Sequence, residues 1–592
     1  MFGGTLRAKR NLLLKFILIF GISSLLWILY PGLAESGTYT STIHGGATIN
    51  SITNGVDRAA VKGSPYPDAV GAYPKGHCGH CHEQHASLNG AEPTPPTAEG
   101  ATSYALFRSN FSSINSGTTN ELCYACHETF SFGLGAGYGR YGIYMGKSIY
   151  NNSQHFISSN MVWNPNPVPP GPPINDAGNC INCHNPHGYN DGSGVIPSML
   201  FKRIDKDTSD YTNRILCDMC HDGTHGTKDV RSLFIRTYKH PTYTVAGKHV
   251  EWENTTTFNS GAFGGTNRHA ECVDCHNPHA ATAASELKGS DGVTISSNPT
   301  NFTDLTSGNL TANADVSTSV TQPNVTTLYL DYKLCFKCHS NWAYGAAANA
   351  PNPTPSAAWQ QTNMAQEFNV NNWSFHWVEG DLVGSSLSGT TYAAGCNNYG
   401  PSSTATPRAS TSYGNFNATY IGIMEPSLSG ATDTQIRTAK LRCSSCHGMD
   451  GKSSTTPEGP HGSANAFLLK VPSGSTYNTW SSSVSYSSNS TTIWCFNCHS
   501  NNFTNTGFSG MSQNLHTNRH NGRYCQYCHV AIPHGWKRYR LIRFGDCDSA
   551  PYNGTGASTG FLKPTGSGFN WGPSGSWSEP ECHSNGVVGS CG

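Results

Sequence analysis

The pattern C-x-x-C-H occurs nine times in this chain of 592 residues. The cysteine pairs are Cys78/Cys81, Cys123/Cys126, Cys180/Cys183, Cys217/Cys220, Cys272/Cys275, Cys335/Cys338, Cys443/Cys446, Cys495/Cys498 and Cys525/Cys528. The following residues are His82, His127, His184, His221, His276, His339, His447, His499 and His529. With 22 Cys and 26 His, chance predicts about 0.04 such triplets. One instance could be a redox pair or half of a zinc site. Nine, each with His next in the chain, predict covalent attachment of nine haem c groups. Two thiols add across the two haem vinyl groups, and the next residue then lies under the iron, where His supplies a nitrogen.

The rest of the composition agrees with such a chain. Charged residues are 12%, about half of the ~25% usual in soluble domains. Gly and Pro are plentiful, at 64 and 33, and apolar runs are short. The predicted fold class is a multihaem cytochrome, mostly coil and turns with short helices and little sheet, organised around a haem chain. Helical turns are expected at 119–128 and 439–447, and strand-like composition at 411–423. The formal net charge is zero, which excludes the basic footprint of a nucleic-acid binder.

Residues 1–34 read as a signal peptide. Arg7, Lys9, Arg10 and Lys15 precede an apolar run from Phe16 to Tyr30, and Gly32-Leu33-Ala34 offers small residues at a cleavage site. An uncleaved anchor is the rival, but a membrane span needs roughly 20 residues. No membrane span is expected after cleavage, which places the mature chain outside the cytoplasm. Cys396, Cys547, Cys582 and Cys591 lie outside the motifs. They suit disulfides in an oxidising compartment; Cys582-His583 as the remnant of a tenth attachment site is the alternative.

Seventeen histidines remain to supply second axial ligands, against nine Met, so His/His ligation is expected over His/Met. One group trails a motif: His85, His187 and His279 follow as C-x-x-C-H-x-x-H, and His534 and His461 are looser versions. Such a residue leaves from the proximal face of its own ring, so it is expected on a neighbouring haem. His155, His240, His376, His516 and His520 precede or separate motifs and are expected to serve the second haem of each pair. His77, His225, His249 and His269 are reserves, and His80 is a bystander inside a motif. His44 and His583 are either surface residues or ligands donated to another protomer. No catalytic residue is assigned, since a doubly ligated iron has no open position.

The motifs fall into pairs, a motif with a trailing His followed by one without. This divides the chain into 35–170 (pair 1), 171–260 (pair 2), 261–430 (pair 3 with an insertion), 431–545 (pair 4 and the ninth haem) and a 546–592 tail with candidate disulfides.

On these residues the chain resembles the paired C-x-x-C-H multihaem cytochromes of metal-respiring bacteria. The likeness is carried by CGHCHEQH with CYACH, CINCHNPHG with CDMCH, CVDCHNPHA with CFKCH, the closing HTNRHNGRYCQYCHVAIPHGW and GPHGS, and it covers residues 78–536. It implies electron transfer to redox partner proteins and to extracellular acceptors such as metal oxides. Some members polymerise into filaments with a continuous haem stack, sometimes with a distal His from the adjacent subunit; others stay monomeric. A multihaem reductase is the alternative, but it needs one haem with an open face. The Lys-bearing attachment motif that several such enzymes use is absent.

Overall fold

The computed structural model describes residues 39–42, 44–46, 48–49, 52–53, 76–78, 81, 120, 123–124, 127, 147–158, 178–188, 200, 216–224, 226–242, 270–296, 310–316, 319–322, 325–340, 342, 362–370, 372, 374–379, 440–450, 459–472, 474–480, 492–499, 525, 529–530, 532–536, 541 and 552. The signal segment, the 411–423 stretch, His82, His85, His516, His520, His583, Cys126, Cys528 and the four cysteines outside the motifs lie outside them. Among the described residues no helix is long and apolar enough to cross a membrane.

The chain divides into two units, 1–132 with 161–203, and 133–160 with 204–592. This partition by compactness does not follow the haem-pair segments, which divide the chain by ligand chemistry. In the first unit, a 3-10 turn at Tyr39–Ser41 leads to His44, and the two-residue strands β1 (Thr48–Ile49) and β2 (Ile52–Thr53) form an antiparallel pair. Asn120 ties two distant segments together: its side chain donates to Gly178 O at 2.8 Å and accepts from Cys180 N at 2.8 Å.

The described elements of the second unit are mostly single turns and two-residue strands. Helices α1 (Lys147–Tyr150) and α2 (Gln154–Ile157) come first, with Ser153 Oγ capping α2 by accepting from Phe156 N at 3.2 Å. Strand β3 (Tyr238–Lys239) and helix α3 (Cys272–Cys275) follow. The more extended sheet structure is two antiparallel hairpins, β4 (Asp291–Ile295) with β5 (Leu310–Asp315) and β6 (Ser319–Gln322) with β7 (Val325–Tyr329), each with a register shift. Sequence reading did not single this stretch out. Then come α4 (Tyr332–Cys335), α5 (Met364–Glu367), β8 (Ser374–Phe375), α6 (Cys443–Cys446), β9 (Gly462–Ser463) and β10 (Gly535–Trp536). β3 pairs with β9 and β8 with β10, both antiparallel.

The largest apolar cluster packs Val293, Leu310, Leu330, Tyr332, Phe336, Ala365, Phe368 and Val378, with Cys443 against its edge. Smaller clusters sit beneath other motifs: Phe234 against Cys272, Leu469, Val471 and Trp494 against Cys446 and Cys498, and Ile493 and Phe496 against Cys495 and Cys525. Apolar burial is therefore parcelled out beside attachment cysteines, where a flat apolar macrocycle would complete it.

Candidate functional site

Each described motif is one helical turn. The His amide donates to the carbonyl of the first Cys in His184, His221, His276, His339, His447, His499 and His529, at 2.8–3.0 Å. Residues three apart share a helix face, so one turn aims both thiols to the same side and leaves His just beyond. A lone turn is not stable by itself, and caps supply what length does not. Asn179 Oδ1 accepts from Ile181 N at 3.2 Å. Asp331, ahead of the sixth motif, accepts from Cys443 N at 2.9 Å and Ser444 N at 3.0 Å at the start of the seventh.

Six motif histidines face a second histidine. Ring centroids are separated by 6.2 Å in His127–His44, 6.1 Å in His221–His155, 6.1 Å in His276–His461, 6.3 Å in His339–His240, 6.0 Å in His447–His534 and 6.3 Å in His499–His376. Metal-bound imidazole nitrogens lie about 2.0–2.1 Å from the metal, so two opposed rings, each centred roughly 1.1 Å behind its nitrogen, stand about 6.2 Å apart. Ordinary ring packing spans about 4.5–7 Å, as in Phe368–His534 at 4.8 Å. Two features favour axial ligation over packing. The six distances fall within 0.3 Å of one another, and every pair joins one motif His to one non-motif His. Among the described residues no three His, Cys, Asp or Glu side chains converge as a metal site; these donors come in twos.

The described motif cysteines differ in their surroundings. The first cysteines of most motifs meet a first cysteine of the next motif, as described below. The second cysteines Cys81, Cys183, Cys220 and Cys338 instead close the turn. Their amides donate to the carbonyls of Cys78, Cys180, Cys217 and Cys335 at 3.1, 3.2, 3.2 and 3.1 Å. Cys78 is exposed, and these four second cysteines are half-buried and outside any disulfide. Cys81, Cys183, Cys220 and Cys338 are also not gathered with histidines into a three-donor metal site. The expectation that they bind a cofactor rests on motif chemistry and turn geometry.

Burial keeps the rings neutral, the form that offers a lone pair to a metal. Desolvation pushes His127, His221, His376 and His447 down to about 4, and His339 and His461 to about 3, with nearby histidines adding to the effect. His44, His155, His240 and His499 are lowered by the same burial.

The four partners of even-numbered motifs share a hydrogen-bond acceptor of one kind. Nδ1 of His44 bonds Pro186 O at 3.3 Å, His155 bonds Pro278 O at 2.8 Å, His240 bonds Pro460 O at 2.6 Å, and His376 bonds Pro533 O. Each proline directly precedes a trailing histidine: His187, His279, His461 or His534. Such a contact fixes tautomer and ring orientation. The short ladders β3–β9 and β8–β10 set the register, with His240 N donating to His461 O at 3.3 Å and His376 N to His534 O at 2.8 Å. On the motif side, His447 Nδ1 bonds Phe467 O at 2.8 Å. Phe467 and Leu468 both have φ near +60° (59° and 57°), a conformation that costs an ordinary residue about 1–3 kcal/mol and clusters at functional sites.

Consecutive motifs also meet directly. The first cysteines of motifs two and three, Cys123 and Cys180, are hydrogen-bond neighbours, as are Cys217 and Cys272, Cys335 and Cys443, and Cys495 and Cys525. In the second unit two kinds of link alternate. Motifs four and five meet at thiols, five and six through the His461–His240 ladder, six and seven at thiols, seven and eight through the His534–His376 ladder, and eight and nine at thiols.

Of the trailing histidines, His461 and His534 face motif rings. His187 stands edge-on to Tyr39 at 6.0 Å and His279 edge-on to Tyr150 at 5.9 Å. His155, His240 and His376 face motif rings as well. His44 differs from its reading as a surface residue or a ligand for another protomer: it faces His127 of its own chain, oriented by Pro186 O. Sequence reasoning also passed over Glu367, which is fully buried and bonds His534 Nδ1 at 2.6 Å and Tyr552 Oη at 2.5 Å. A lone acidic residue in a short helix carries no signal of such a role. Comparison of the chain with protein-family models, with curated proteins and with solved structures finds no match.

Proposed function

We propose that the chain is a nonahaem c-type cytochrome that carries electrons along one row of closely spaced, doubly ligated haems outside the cytoplasm, and is not an enzyme. The observation that supports this most is the alternation of thiol contacts and histidine ladders from the fourth motif to the ninth, in chain order. Haem c supplies a one-electron Fe(III)/Fe(II) couple where it is bound. The cysteines of each motif would hold the haem covalently and the motif His would bind its iron. His44, His155, His461, His240, His534 and His376, which face the motif histidines of motifs two, four, five, six, seven and eight, would be the second ligands there. The proline carbonyls hold the even-numbered distal rings in one tautomer. The small apolar clusters beneath the cysteines exclude water from the attachment edges.

Redox partner proteins and extracellular acceptors such as metal oxides are the proposed partners, with homopolymerisation into a filament as the form that the family resemblance favours. Purified secreted protein should exceed its polypeptide mass by nine haems, and its reduced form should bind almost no carbon monoxide. A mass short of nine haems, or a large high-spin fraction that binds the gas, overturns the reading. Electron microscopy of the same sample separates filament from single particle.

A further inference from the structure

The distal histidine of the seventh motif has a hydrogen-bond partner unlike those of the other five pairs. His44, His155, His240 and His376 donate to neutral backbone carbonyls. Nδ1 of His461 is buried without a hydrogen-bond partner. His534 Nδ1 instead bonds a carboxylate oxygen, Glu367 Oε2, at 2.6 Å.

The surroundings hold that carboxylate in place. Its side chain is fully buried. Its other oxygen, Oε1, accepts from Tyr552 Oη at 2.5 Å, and Tyr552 lies stacked on Trp536 at 4.1 Å, two residues past His534. The Glu367 backbone is fixed as well: its carbonyl accepts from Asn372 Nδ2 at 2.7 Å, and a Cβ on Gly535 would come within 1.7 Å of it. Helix α5, strand β10 and the 552 region thus converge on one carboxylate and aim it at one imidazole. On the opposite side, His447 has only the Phe467 carbonyl as its Nδ1 partner.

We propose that Glu367 is a positioning residue that gives the haem of the seventh motif a lower reduction potential than a neutral acceptor would, making it the low-potential step in the row. The inference rests on the reading of Cys443, Cys446, His447 and His534 as a haem site. A carboxylate that draws on Nδ1–H gives the imidazole imidazolate character and makes it a stronger donor, which favours the ferric iron. A backbone carbonyl does this less, since a charged acceptor makes the stronger hydrogen bond. Tyr552 works the other way. Its hydroxyl donates to the same carboxylate and spreads the charge, so it sets how hard Glu367 pulls.

The test is a redox titration of the full-length, haem-loaded protein followed by electron paramagnetic resonance, on the parent, Glu367→Gln and Tyr552→Phe. The haem in question is the one that turns high-spin in His534→Ala. In Glu367→Gln its reduction equilibrium should shift toward the ferrous form by roughly tenfold or more, the usual scale for an outer-shell partner, about 59 mV per tenfold for one electron. The other eight should stay in place. In Tyr552→Phe the same haem should shift the opposite way. A carboxylate with a purely structural role would lower the melting temperature and leave that haem's potential unmoved, and this result overturns the proposal. So do shifts of the two variants in the same direction. A parent that lacks a haem at the seventh motif overturns the underlying site instead, and the haem mass of the parent separates the two failures.

Discussion

At the scale of single residues, the chain relies on buried neutral imidazoles set in opposed pairs. His461 shows what each pair requires. It faces His276 at 6.1 Å with the rings 19° apart, and no other described histidine faces that motif. If nine haems are bound as proposed, His461→Ala should open one iron, read as a carbon monoxide-binding, high-spin fraction of about one ninth by spectroscopy of the reduced protein. Glu379 is a different kind of buried group. Burial raises its carboxyl to about 8 against the pull of Lys440, and its Oε2 lies buried without a hydrogen-bond partner. A carboxyl that holds its proton more tightly folded than unfolded stabilises the fold fully at low pH, and loses that contribution as pH rises through about 8. Glu379→Gln should therefore match the parent near pH 5 and exceed it near pH 9, on the order of 1–3 kcal/mol once solvent screening at this partly exposed side chain is allowed for. Denaturant melts at the two pH values check this. The nine C-x-x-C-H motifs are legible in sequence because their residues are adjacent. The partner of each motif histidine is not, since residues 276 and 461 meet only through tertiary structure.

At the scale of elements, the recurring unit is a proline–histidine step beside a two-residue strand. Its sequence is visible in Pro460-His461-Gly462 and Pro533-His534-Gly535. What sequence hides is that the proline acts through its backbone carbonyl, an atom that every residue has. The glycines have a packing reason: a Cβ on Gly462 would lie 1.9 Å from Leu233 O. Gly462→Ala should cost about 1–3 kcal/mol as overpacking, seen as a lower denaturation midpoint with haem content unchanged. Asp331→Ala removes the cap of α6 and should cost about 1 kcal/mol by the same measurement. The strands β4 to β7 escaped sequence reading because segments such as Leu310–Asp315 alternate weakly apolar Ala with Asn and Asp, residues that strands ordinarily disfavour. Packing of Leu310 and Val293 onto Phe336 accounts for that hairpin.

At the scale of the whole molecule, the described motifs of the second unit follow one another in space as they do in sequence. Coil-rich composition predicted little regular structure, and the described elements are short. The ladders also tie regions far apart in the chain: β10 near residue 535 holds β8 near 375, and His534 from that same turn faces His447. Under the proposed function, removal of residues 532–592 should leave all nine C-x-x-C-H motifs intact yet open the seventh centre, detectable as carbon monoxide binding in a protein of undiminished haem mass.

The His461–His276 and His534–His447 pairs carry a further consequence for biogenesis. In both, the partner ring follows the motif that it faces, by 185 and 87 residues. If each pair holds an iron as proposed, these two upstream centres would stay half-finished until a later stretch of polypeptide docks. On that reading a chain halted between residues 447 and 534 would leave the centre of its seventh motif open to small gases, whereas the sixth and eighth motifs face His240 and His376, which come earlier in the chain.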